Sequence, residues 1–117
     1  MIRDTLQKLV FDLEGCRGVV LLGADGMPVD GVVVDQAADT ELVAAGVADL
    51  LRRSGRFSTE SGGGDLLEVT LQGDRLTVVA RPVGRDFGLL ALLDPEGNLG
   101  RARLELRRAA ASIALEL

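Results

Sequence analysis

The order of the apolar segments constrains this chain more than any single residue does. Their periodicities read helix, strand, strand, helix, three strands, helix. Two strand runs, Val-Val-Leu-Leu at 19–22 and Leu-Leu-Ala-Leu-Leu at 89–93, show no apolar–polar alternation. Both faces of such strands need cover, so both belong in the middle of a sheet. They come from opposite ends of the chain, so helices from different parts of the sequence must wrap the sheet on both sides.

Ile2, Leu6, Leu9, Val10 and Leu13 recur at helical spacing, and Gly15 stands where a left-handed cap would end that helix. Gly23-Ala24-Asp25-Gly26 suits a hairpin loop. Pro28 and Asp30-Gly31 mark the return strand as a bulged edge. Asp39 is the expected N-cap of the second helix, whose inner stripe is Val43, Val47, Leu50, Leu51, Ser54 and Phe57. That stripe carries the helix to about Ser61 despite Gly55, with Gly62-Gly63-Gly64 beyond; an end at Ser54 is the alternative. Leu67, Val69 and Leu71 alternate with Glu68, Thr70 and Gln72, as in a strand wet on one face. Gly73-Asp74 predicts a two-residue turn into the strand 76–83, and Gly84-Arg85-Asp86 turns the chain into 87–93. Asn98 caps a last helix with the stripe Leu99, Ala102, Leu106, Ala109, Ala110, Ile113 and Leu117.

Hairpin connections between these strands give the order 2-1-5-4-3. The expected fold is therefore a single α/β (α+β) domain over 1–117 with topology αββαβββα. It is a three-layer α/β/α sandwich on a five-stranded antiparallel sheet, with the middle helix alone on one face.

The residue inventory excludes much chemistry. With no histidine among 117 residues, imidazole triads and most zinc sites are ruled out. The one lysine, Lys8, follows no glycine loop, so no phosphate-cradling nucleotide motif is present. No enzyme, cofactor or metal is expected. Asp25, Asp30 and Asp35 do not have the spacing of a calcium loop. A net charge of −5, with three Phe as the only aromatics, gives nucleic acid neither a basic stripe nor a stacking platform. No apolar run reaches the roughly 18 residues of a membrane span. Met1-Ile2-Arg3-Asp4 does not open a secretory signal, so a cytoplasmic location is expected. Twelve arginines against one lysine point to a GC-rich bacterial source. Cys16 beside Arg17 reads either as a reactive thiol or as small apolar packing. Arg52, Arg53 and Arg56 read either as a solvated helix end or as a source of a catalytic arginine for a bound phosphotransfer enzyme.

One helix cannot cover five strands, so the middle-helix face is expected to adhere to something. The third strand, moreover, has no proline or lysine to guard its edge. A twofold axis beside that edge would make a homodimer with one continuous sheet and paired middle helices. The candidate interface is Leu42, Ala45, Gly46, Asp49 and Arg53 on the helix, with Leu66, Glu68, Thr70 and Gln72 on the edge.

The whole chain resembles the roadblock/dynein light chain family, whose sheet plan is shared with longin and profilin-like domains. The resemblance is carried by Gly18-Val19-Val20-Leu21-Leu22-Gly23-Ala24-Asp25-Gly26-Met27-Pro28, by the helix over 41–53, and by Asn98-Leu99-Gly100-Arg101-Ala102-Arg103-Leu104-Glu105-Leu106. It implies a non-catalytic module that dimerises through its third strand and second helix. It further implies a platform for a small Ras-like GTPase, as activator or scaffold subunit. A structural light chain bridging larger proteins, and a sensor holding a small apolar ligand between helix and sheet, are the alternatives.

Overall fold

The structure is a computed structural model describing residues 1–34 and 39–117; Asp35 of the dismissed calcium pattern lies outside the described residues. Eight elements follow in the expected order: α1 (Ile2–Asp12), β1 (Cys16–Gly23), β2 (Pro28–Val33), α2 (Thr40–Glu60), β3 (Val69–Gln72), β4 (Thr77–Val83), β5 (Phe87–Leu93) and α3 (Leu99–Ala114). The strands form one antiparallel sheet in the order β2-β1-β5-β4-β3. Asp39 and Asn98 cap α2 and α3, their side chains accepting from the backbone N–H of Leu42 and Arg101. Gly15 takes the left-handed backbone (φ +79°) after α1, and a Cβ there would lie 3.1 Å from Gly97 Cα. β2 is bulged: Leu21 opposes Asp30 but Leu22 opposes Pro28, leaving Val29 over.

The two faces of the sheet are unequal. Under α1 and α3, Leu6, Leu9, Val19, Leu21, Leu89, Leu93, Leu106 and Ile113 belong to one tight core. Under α2 the core is thinner, with Val20, Leu22, Leu90 and Leu92 covered mainly by Ala44, Val47 and Ala48. Central placement of β1 and β5 follows from this double cover.

Four details depart from the sequence reading. α2 is the longer of its two options, but Phe57 is 72% exposed and not part of the core. The buried residues of this 21-residue helix, Ala44, Val47 and Ala48, all lie in its first half. Leu117 lies beyond the end of α3 and is half-exposed. The β3–β4 turn is centred on Asp74-Arg75 and not Gly73-Asp74, because Gly73 N–H donates to Leu76 O at 2.9 Å. β3 starts at Val69, so Leu66, Leu67 and Glu68 stand outside the ladder. Its register explains this: Val69 opposes Ala80, so Leu67 falls opposite Pro82, which has no N–H to continue the bonding.

Candidate protein-interaction face

The open faces of the sheet follow from strand period and helix count. Val69 and Leu71 oppose Ala80 and Val78, residues of the core beneath α2, so they look to the α2 side. Thr70 and Gln72 alternate with them and direct their side chains to the α3 side. Their backbone groups have a different role. The Gly73–Leu76 bond sets the hydrogen-bonded positions of the hairpin, so by alternation Leu71 and Val69 direct N–H and C=O at β4. Thr70 and Gln72 turn theirs outward, along the free edge.

Two apolar clefts flank α2. One, of about 420 Å³, separates the helix from the β3–β4 edge. Leu76 and Val78 form its floor, Val43, Leu50 and Leu71 its walls, and Asp49 and Arg53 its rim. The other, of about 320 Å³, lies on the far flank over Leu22, Leu51 and Gly88. A Cβ on Gly88 would come within 2.9 Å of Leu51 Cδ1, so this floor is flat because Gly88 has no side chain. The most exposed large apolar groups on this side are Leu42 (70%), Phe57 and Leu71 (55%).

The candidate residues not yet placed divide among four locations. Gly46, Asp49 and Arg53 line the larger cleft. Among the described residues nothing lies within 4 Å of where a Gly46 Cβ would stand, so none of them demands glycine there. A mid-helix glycine costs about 1 kcal/mol relative to alanine. Asp49 is paired with Arg52 and, at 3.1 Å, with Arg53; Arg56 has no ion-pair partner among the described residues. Ala45 sits instead below the β1–β2 hairpin, 3.3 Å from where a Gly26 Cβ would be. Leu66 lies beside α2 near Gly55, whose Cβ would reach its Cβ at 4.0 Å. Glu68 is on the opposite face, its carboxylate between Arg81 and Arg103. Helical spacing assigns Leu50 inward and strand patterning does the same for Leu71 and Leu76, yet all three line the larger cleft because the single helix above them is too narrow to cover them fully.

Cys16 is half-buried, its Sγ 3.5 Å from Gly18 O. Burial pushes its thiol above the ordinary value and nearby Asp94 raises it further, against a smaller lowering by the Gly18 backbone. Arg17 does not activate it, because that guanidinium pairs with Asp94. Iodoacetamide at pH 7.5 should therefore alkylate the folded protein several-fold more slowly than the unfolded chain. Equal rates would mean that the thiol is open and activated.

Residues 2–94 match the Roadblock/LC7 domain. The chain belongs to the Roadblock/LC7 family. An uncharacterized protein of Methanocaldococcus jannaschii is 29% identical over 100 residues, 86% of each chain. MglB of Myxococcus xanthus superposes with a TM-score of 0.87 at 20% identity, over 97% of this chain and 92% of that one. An MglB structure with a tetrameric arrangement gives a TM-score of 0.89 at 20% identity, over 97% and 85%. MglC of Myxococcus xanthus aligns along the full length of both chains, at 29% identity and a TM-score of 0.72. At 20% identity the likeness to MglB is one of fold. The chain is thus a roadblock-type regulatory module. No helix among its described residues is long and apolar enough to cross a membrane.

Proposed function

We propose that this roadblock domain, spanning 1–117, is a non-catalytic cytoplasmic homodimer that binds and regulates a small Ras-like GTPase, as an activator or scaffold subunit. The observation that carries the reading is the apolar cleft between α2 and the β3–β4 edge, continuous with a free strand edge. Pairing two copies at β3 extends the sheet and brings two α2 helices together over their clefts. Gly46, which no described residue requires to be glycine, lets backbones approach there. The tetrameric arrangement of an MglB, a chain of the same fold, supports self-association.

The paired helices then offer a shape-complementary surface, with Arg53, Arg56 and Phe57 at its margin. Docking there biases the partner toward one nucleotide state by binding that state more tightly. The test is affinity capture from native lysate, with GDP and with a GTP analogue, using the protein and a Leu50→Glu variant. A Ras-like GTPase should be retained in one nucleotide state, and the variant should lose it. Capture that ignores both the nucleotide and the variant would point to a bridging light chain instead.

A further inference from the structure

The face opposite α2 carries a different kind of surface. Gly100, Arg103, Leu104 and Arg107 recur three and four residues apart on α3 and so share one stripe. With Leu67, Glu68 and Arg81 they line a crevice of about 370 Å³ between α3 and the sheet edge. Three guanidiniums meet one carboxylate there, a local charge of +2 (three minus one). The remainder of the chain then carries −7 (−5 minus +2), so the crevice is a cationic spot on an acidic protein.

The ion pairs inside it are incomplete. Glu68 Oε2 accepts from Arg103 Nε at 2.6 Å and from Thr70 Oγ1 at 3.1 Å, while Oε1 stands 3.6 Å from Arg81. The Arg81 side chain is only 16% exposed, yet that loose contact is its one ion pair among the described residues. Its guanidinium has five N–H donors and donates no side-chain hydrogen bond to the described residues. Arg107 is exposed and has no ion-pair partner among them. None of the Arg81 nitrogens is both buried and unpartnered, so water meets the donors that the described residues leave free, and an oxyanion in the crevice would take the place of that water with charge-assisted bonds.

We propose that this crevice binds a small organic phosphate. Its dianionic group bonds to Arg81, Arg103 and Arg107, and its body rests on Leu67 and Leu104. A charge of −2 balances the local +2, and the arginine forks match phosphate oxygens in pairs. Glu68 behind them holds Arg103 in place and keeps the empty crevice from excess repulsion. The volume is at the lower end of small-molecule sites, about 300–1,000 Å³. Because the site faces away from α2, its failure and that of the proposed partner face are separable.

The test is a ¹H–¹⁵N NMR titration of the full chain at pH 7.5 with inorganic phosphate and with phenyl phosphate, using chloride at matched ionic strength as control. Saturable shifts are expected at Gly100 and Arg103, with phenyl phosphate binding several-fold tighter than inorganic phosphate. Arg107→Gln, a change at an exposed residue without an ion pair, should weaken binding about tenfold. Glu68→Gln removes the competing acid and should tighten it. Lys8→Gln, an exposed cation on α1 outside the crevice, should leave the affinity unchanged. Shifts that never saturate, that chloride reproduces, or that survive Arg107→Gln undiminished would overturn the site.

Discussion

Leu106→Ala is expected to lower stability by about 3 kcal/mol, while Leu51→Ala should cost about 1 kcal/mol. The same atoms are removed in both cases; what differs is the layer. Leu106 is fully buried between α3 and the sheet, among Leu6, Leu89 and Ile113, and its loss leaves a cavity with rigid walls. Leu51 is only partly buried at the flank of α2, beside an open cleft, so part of its surface already meets water and its loss leaves no closed cavity. Urea unfolding at two protein concentrations separates packing from association. Equal losses would show that α2 seals its face as tightly as the helix pair seals the other, and the adhesive-face reading would fail with it.

If the proposed β3-edge homodimer is right, Leu71→Arg should weaken self-association at least a hundredfold, about 3 kcal/mol, while the monomer keeps its stability within about 0.5 kcal/mol. Leu71 is more than half exposed in the isolated chain, so a charge there is harmless until a second copy covers the cleft. In a twofold contact each substitution acts twice. Thr70→Pro offers an independent check. Its N–H points out of the sheet, so proline breaks no bond to β4 but removes a donor from the free edge. Val69→Pro would instead break the ladder and destabilise the fold, because Val69 faces β4. Sedimentation velocity should show monomers for Leu71→Arg and Thr70→Pro at concentrations where the parent protein is paired. Dimers persisting in both would place the self-contact elsewhere.

The fold was legible because its determinants are local or nearly so. The unbroken apolar runs at 19–22 and 89–93 required two covered faces, which placed β1 and β5 centrally. Asp39 and Asn98 announced two helix starts through their capping chemistry. The site was less legible. Glu68 looked like a solvated member of an edge strand; strand period does send it to the α3 side with Thr70 and Gln72, but Pro82, fourteen residues on, ends the ladder before reaching it, and only the tertiary structure brings Arg81 and Arg103 to its carboxylate. Phe57 fitted the inner stripe by angle, but angle cannot show how far along a helix the core extends.

The sequence by itself determined the elements, their order in the sheet and the division of helices two against one, since periodicity, caps and turns act over a few residues. Only the tertiary structure decided which apolar groups stay wet, which arginines meet, and which backbone groups of β3 face outward. Those depend on how far one layer extends over another and on residues distant in the chain. No single-segment pattern carries that information.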